Sequence, residues 1–138
     1  MSHPFRHRFD GHRAAKGSYY CIGCRQTRTA KKDACNSAAC DVSYFQSRLE
    51  LGRAAELALL MAAGKISALR VHPRYTMKVR ESEVGPYVAD FQYVLDGKTV
   101  IEEVKPPNWE KRDRLAAFKI KVFRALLPQG QTFIIHQP

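Results

Sequence analysis

Three residues in one short stretch, Asp90, Glu103 and Lys105, are of the types that hold a divalent cation and neutralise a phosphoryl transition state. They lie in YVADFQYVLDGKTVIEEVK, which reads as two strands around Asp96-Gly97, a preferred pair for a two-residue type I′ turn. That turn fixes a register: Leu95 opposes Lys98, Val94 opposes Thr99, Gln92 opposes Ile101, Asp90 opposes Glu103 and Val88 opposes Lys105. Directly opposed Cβ atoms stand about 5 Å apart, and Lys105, two residues past Glu103, projects from the same face. Two opposed carboxylates destabilise a sheet, and a bound Mg²⁺ reverses that sign. The alternative is that Lys105 neutralises an exposed acidic pair; Val88, Val94 and Ile101 make the face largely apolar and weigh against it. Glu102 points to the other face, opposite Phe91.

A second chemistry is written in sulfur. Cys21, Cys24, Cys35 and Cys40 form C-x2-C-x10-C-x4-C, and no other cysteine occurs. Four thiolates complete a tetrahedral zinc shell, and C-x2-C is the usual first half of one. The loop RQTRTAKKDA is polar and builds no core, so a metal would supply the folding energy it lacks. Two disulfides, or idle thiols, are the alternatives. A shell closed by four cysteines has no open position, so one structural Zn²⁺ is expected rather than a catalytic one. Arg25, Arg28, Lys31 and Lys32 lie in this window, where they are expected to touch a nucleic-acid backbone.

The elements that must position these residues follow from periodicity. Ser47 to Ala63 is rich in helix formers, with Gly64 at the C-terminal cap and Ser47 at the N-cap. Glu50 has capping-box spacing from Ser47. It also heads an apolar column of Ala54, Leu57 and Met61, so it points toward the protein and is preferred over Glu56 as a functional acid. Glu56 has Arg53 available three residues earlier. Residues 69–80 alternate, with Leu69, Val71, Tyr75, Met77 and Val79 on one face and Arg70, His72, Arg74, Thr76, Lys78 and Arg80 on the other. Pro73 marks an edge or a bend. The basic face suits a phosphate backbone and equally suits solvent. After Pro106-Pro107, Asn108 is expected to cap a helix running to about Leu127. Leu115, Phe118, Val122 and Leu126 form its apolar stripe, and Lys111, Arg112, Arg114, Lys119, Lys121 and Arg124 its basic remainder. Gly130 opens a final strand, QTFIIH. The order is helix, three strands, helix, strand, an α/β fold.

An acidic helix residue, an aspartate in one strand and Glu-x-Lys in the next resemble the PD-(D/E)XK nuclease superfamily, here through Glu50, Asp90 and Glu103-Val104-Lys105. The chain is most similar to a small phage and bacterial family of unknown function related to Holliday-junction resolvases. Its F-x-S-x-x-E-A-x-R-Y run is matched by Phe45, Ser47, Glu50 and Arg53. Its Y-x-A-D-F and V-E-D-V-K runs resemble Tyr87–Phe91 and Ile101–Lys105, and the likeness covers residues 45–136. Ala89 stands where the superfamily name has proline, and the cysteine knuckle is an addition ahead of the core. The resemblance implies a restriction-endonuclease-like core with a central mixed sheet. It implies Glu50, Asp90, Glu103 and Lys105 as the catalytic set, with Mg²⁺ or Mn²⁺ on Asp90, Glu103 and the Val104 carbonyl. It also implies a basic helix, Lys119 included, that holds the scissile strand, and branched DNA as substrate. Paired cuts at a four-way junction would further require a homodimer.

Charge and length bound the rest. Residues 1–40 hold eight Lys or Arg against two acids, and residues 41–138 hold fifteen against eleven, so the total of +10 is front-loaded and suits a polyanionic partner. The segmentation expected is a basic arm over 1–20, a zinc knuckle over 21–40 and a nuclease core over 41–138. No apolar run reaches the ~18 residues of a membrane span. MSHPFRHRFDGHR shows no secretory pattern. The expectation is a protein of the bacterial or phage-infected cytoplasm that hydrolyses DNA phosphodiesters with a divalent metal. A non-catalytic zinc-knuckle DNA-binding protein is the alternative.

Overall fold

The computed structural model of the chain describes residues 17–28, 40 and 42–138. Most of the expected arm, together with Lys31, Lys32 and Cys35, lies outside the described residues. Strands β1 (Ser18–Cys21), β2 (Gln26–Arg28) and β3 (Val42–Phe45) precede helix α1 (Arg48–Ala62). Strands β4 (Ser67–Val71), β5 (Arg74–Val79), β6 (Ser82–Val88), β7 (Phe91–Leu95) and β8 (Lys98–Val104) follow, then α2 (Trp109–Arg112), α3 (Arg114–Ala125) and β9 (Gln131–His136). The fold is mixed α/β. Its main sheet has the order β4-β7-β8-β9, antiparallel except for the parallel β8–β9 pair. A β2-β1-β3 sheet and a β5-β6 hairpin flank it. No helix among the described residues is long and apolar enough to cross a membrane.

Helix α1 begins and ends as its sequence dictates. The Ser47 hydroxyl accepts from the Leu49 and Glu50 amides, at 3.1 and 3.5 Å. At the other end Lys65 N–H reaches Leu60 O and Gly64 N–H reaches Met61 O, a Schellman closure that needs Gly64 at φ 71°. The β7–β8 register also follows the Asp96-Gly97 turn, from Leu95–Lys98 to Phe91–Glu102. There the expected register stops. Asp90 leaves the ladder, and its carboxylate takes the Val104 amide at 2.7 Å. Val88 pairs with Arg74 instead of Lys105.

Strand β8 is interior to the sheet and covered on both faces, so successive side chains enter opposite cores. On one face Val100 and Val104 join Phe91 and Tyr93 against Ala54, Leu57 and Ala58 of α1. On the other, Ile101 and Phe133 meet Ile120 and Phe123 of α3. Phe123 stacks on Tyr87, with ring centroids 4.2 Å apart. Glu102 and Glu103 therefore point into different cores. Glu102 is fully buried; Arg53 grips it through Nε at 2.5 Å and Nη2 at 3.1 Å, and the Tyr93 hydroxyl donates at 2.6 Å. Arg53 Nη1 bonds Glu56 at 2.8 Å, so one guanidinium bridges helix and sheet.

Two expectations for the C-terminal half are corrected. The helix expected from Asn108 to Leu127 is two helices, because Asp113 (φ −129°, ψ 81°) breaks it and caps α3 through the Ala116 amide at 2.9 Å. Asn108 sits at φ 58° and makes no side-chain cap. The buried face of α3 is Ile120 and Phe123, while Leu115 and Phe118 are 65% and 64% exposed. The aromatic cluster of Tyr87, Phe123 and Phe133 selects that face. The expected stripe instead looks along the β5–β6 hairpin, where Leu115, Phe118 and Val122 line an open cleft of about 520 Å³ with Met77, Val79, Val84 and Pro86.

A buried carboxylate stripped of its partner is costly. Arg53→Ala should lower stability by about 3–5 kcal/mol in urea unfolding. Adding Glu102→Met to that variant should recover most of the loss, since no charge is then stranded. A loss under ~1 kcal/mol in the single variant would show that the pair does not anchor α1.

Candidate active site and cysteine cluster

The run expected as one strand over 69–80 is two strands in different sheets, yet one ribbon. The register that pairs Val71 with Phe91 in the main sheet continues without shift to Arg74 with Val88 in the hairpin. His72 therefore stands opposite Asp90, and Pro73 opposite Ala89. Two backbone bonds close the crossing: His72 N–H to Asp90 O at 2.9 Å and Ala89 N–H to Pro73 O at 3.1 Å. His72 takes φ 50° to make the bend. Proline at 73 supplies no N–H, so its place at the break between sheets costs the ladder nothing.

Around this kink four separated segments meet. Glu50 arrives from the first turn of α1, His72 from the kink, Asp90 from the bend before β7, and Glu103 and Lys105 from the end of β8. One ligand atom from each of Glu50, His72 and Asp90 lies within 4.8 Å of the others. His72 Nε2 is 3.8 Å from Glu50 Oε2. Glu103 accepts from the Tyr87 hydroxyl at 2.7 Å and pairs with Lys105 Nζ at 3.1 Å. Lys105 also stands 5.6 Å over the Trp109 ring, which is buried, so its charge is fixed in place. The residues expected as the site thus come together, although Asp90 and Glu103 meet at the ladder's end and not as a paired rung. Val104 enters the site through its amide.

The electrostatics are those of an excess of negative charge. Burial pushes the Asp90 carboxyl up to about 7, and the neighbouring Glu103 and Glu50 charges add to the rise. The Val104 amide and Lys105 oppose it. The His72 imidazole is raised by its contact with Glu50, against the effect of burial, with Asp90 and Glu103 adding. Tyr87 is raised by burial and by the Glu103 carboxylate it donates to, so it stays a donor. This donor set, carboxylates and one imidazole in a half-buried pocket, has the chemistry of a divalent-cation site.

Two positions at this site are not legible in the sequence: alternation sets His72 on a basic strand face, and Tyr87 enters only as part of a motif. Placing His72 takes a hairpin at Arg80-Glu81, which pairs Val79 with Ser82 and Lys78 with Glu83, and then a one-residue register shift between Met77 and Lys78, without which His72 would face Ala89. Neither Arg80 nor Glu81 is a customary hairpin-turn type, though Arg80 adopts φ 55°. Of the expected phosphate contacts, Arg25, Arg74 and Lys119 are exposed and Arg28 is half-buried. Lys119 lines a cleft of about 300 Å³ beside Glu103, Tyr87 and Pro86.

The sulfurs of Cys21, Cys24 and Cys40 also converge within 4.8 Å of one another, close enough to hold a metal ion. Cys24 N–H donates to Cys21 Sγ at 3.3 Å, and Cys24 and Cys40 Sγ are 3.0 Å apart. A tight turn with Arg25 at φ 58° brings Cys24 back over the end of β1. This corner is not detached from the rest. Strand β3 pairs with β1 across residue 40, and Tyr20, Ile22 and Phe45 are buried in the same core as α1.

The charge balance makes a pH test possible. Asp90 keeps its proton to about pH 7 when folded, against 3.8 as its ordinary value, so the folded state binds the extra proton between these limits. Stability without added divalent ions should then fall as pH rises through that window. His72, raised when folded, acts in the same direction: its contribution is complete below 6.5 and lost as pH rises through the folded value. Urea midpoints should drop from about pH 5 to about pH 8, and Asp90→Asn should flatten the decline. An Asp90→Asn slope equal to wild type would place the proton elsewhere.

Comparison with known proteins adds one match. The model of a family described as "Protein of unknown function (DUF1064)" matches residues 30–137. No curated protein and no solved structure matches the chain. The match runs from the cysteine segment through β9 and takes in Glu50, His72, Asp90, Glu103 and Lys105, and on that extent the chain belongs to the DUF1064 family.

Proposed function

We propose that this protein is a metal-dependent endodeoxyribonuclease of the PD-(D/E)XK kind, acting on branched DNA. The observation that carries the reading is the convergence of Glu50 and Asp90, from separate segments, beside the Glu103–Lys105 pair at the end of β8. With Asp90 ionised, three carboxylates against His72 and Lys105 leave a net negative cluster that a divalent cation would balance. Mg²⁺ or Mn²⁺ bound there supplies Lewis-acid polarisation of the scissile phosphate and of a water. Asp90 would hold it, with Glu50 and Glu103 supplying the neighbouring oxygens.

The chain's own groups do the remaining work. Lys105, fixed by Glu103 and Trp109, places a cation against the charge that builds on the phosphoryl oxygens as a water oxygen forms its bond to phosphorus and the sugar oxygen leaves. Tyr87 donates to Glu103 and holds its carboxylate at the correct angle. Lys119, Arg74 and Arg25 offer phosphate contacts without base readout. In the cysteine corner, Cys21, Cys24 and Cys40 would hold one structural Zn²⁺, with Cys35 the fourth thiolate that the sequence offers. Branched substrate and a homodimer rest on the family resemblance.

Purified protein should cleave a four-way junction with Mg²⁺ and not with EDTA. Asp90→Asn, Glu103→Gln and Lys105→Ala should each lower the cleavage rate by at least about a hundredfold while junction binding persists. Glu50→Gln should impair cleavage more than Glu56→Gln, which touches only Arg53. Binding without cleavage of junction or plasmid under any divalent ion would favour the zinc-knuckle DNA-binding protein instead.

Elemental analysis should find about one zinc per chain, the capacity of one four-thiolate site. Cys21→Ser should release it and lower the melting temperature, because Tyr20 and Ile22 beside it are core residues. A zinc-free preparation with unchanged melting would remove the metal from this corner.

A further inference from the structure

The site holds one ligand type that an all-oxygen Mg²⁺ centre does not use. We propose that Glu50, His72 and Asp90 are the first cation ligands of this chain, and that the His72 imidazole makes the site select a first-row transition ion such as Mn²⁺ over Mg²⁺. The inference deepens the nuclease reading and shares with it a cation on Asp90. The binding itself is measured without DNA.

Three observations carry it. Among the described residues, the ligand atoms close enough to share one ion at this site come from Glu50, His72 and Asp90. Both Glu103 oxygens already have partners, Oε1 with Lys105 and Oε2 with Tyr87. Glu103 is thereby suited to positioning Lys105 and to outer contacts. Second, the imidazole is held for the task. The ribbon register sets His72 opposite Asp90, and its amide bonds the Asp90 carbonyl at 2.9 Å. Its ring lies against Phe45, centroids 5.3 Å apart and planes tilted 50°. Third, His72 adopts φ 50°, a left-handed conformation that costs a non-glycine residue energy. That strain sits where the ribbon turns the ring toward two carboxylates.

The chemistry of the donors then decides the ion. Mg²⁺ prefers oxygen ligands in near-ideal octahedral geometry and gives up water reluctantly. An imidazole beside two carboxylates favours first-row transition ions; Mn²⁺ stands first in that series and shares the taste of Mg²⁺ for carboxylate oxygen, so the nitrogen is what separates the two. Zn²⁺ is drawn to the thiolate corner, where soft ligands are gathered, so the two centres sort their metals by donor type.

The test uses full-length, zinc-loaded protein and Mn²⁺ as the probe. Electron paramagnetic resonance titration should show Mn²⁺ binding at least about tenfold tighter than Mg²⁺, measured by competition. His72→Gln should weaken Mn²⁺ by at least about tenfold and leave Mg²⁺ within about twofold. Electron spin-echo modulation of Mn²⁺ on the wild-type protein should carry the coupling of a directly bound nitrogen, a readout that needs no variant. Absence of that nitrogen coupling, equal affinities for the two ions, or an unchanged Mn²⁺ affinity in His72→Gln would overturn the proposal. Nitrogen-coupled Mn²⁺ without DNA cleavage would sink the nuclease reading and leave this one standing; Mg²⁺-driven cleavage with no nitrogen coupling would do the reverse.

Discussion

A strand that buries two successive glutamates on opposite faces must find a countercharge in each core. Strand β8 is that strand, and its two solutions organise the molecule. On the α1 side Glu102 is matched by Arg53, with Tyr93 filling a further acceptor site. The match fixes the helix against the sheet, and Glu50, one turn before Arg53, is set by the same docking. On the α3 side Glu103 meets a phenol and an ammonium, Tyr87 and Lys105. This second solution is incomplete, because Glu50 and Asp90 bring further negative charge to the same place. One face of the strand is electrostatically closed and the other is left open to a cation.

The kinked ribbon is what delivers the extra charge. His72 and Asp90 stay opposite each other where the ribbon passes from the main sheet into the hairpin. The bend at His72-Pro73 frees Asp90 from the ladder and lets its carboxylate take the Val104 amide. Phe45 reaches this point from β3, and it touches both His72 and Phe91. The cysteine corner, through the β1–β3 pairing, therefore bears on the same residues as the site. The thiol cluster and the carboxylate–imidazole cluster are distinct in donors and joined in packing.

What could be read from the sequence was local. Ser47, Gly64 and the Asp96-Gly97 turn act through their own backbone geometry, and the helix and the β7–β8 register followed from them. The C-x2-C spacing likewise announced a shared site for thiols. What could not be read was set by competition between distant elements. Helix α3 carries two apolar stripes, Leu115-Phe118-Val122 and Ala116-Ile120-Phe123, and periodicity cannot say which one meets Tyr87 and Phe133. The Arg80-Glu81 turn lacks the residues that usually mark one, and a one-residue shift between Met77 and Lys78 resets the register it starts, so the meeting of His72 with Asp90 is not legible locally. Arg53 was assigned only its helical neighbour Glu56, because the Glu102 pairing spans 49 residues.

We propose that a bound divalent ion balances the open side of β8, and thermal unfolding of zinc-loaded protein with and without saturating Mg²⁺ or Mn²⁺ is the test. The ion should stabilise the wild-type chain by about 2.7 kcal/mol at a hundred times its dissociation constant. Asp90→Asn should lose most of that gain. A melting temperature that ignores both ions would contradict the proposal.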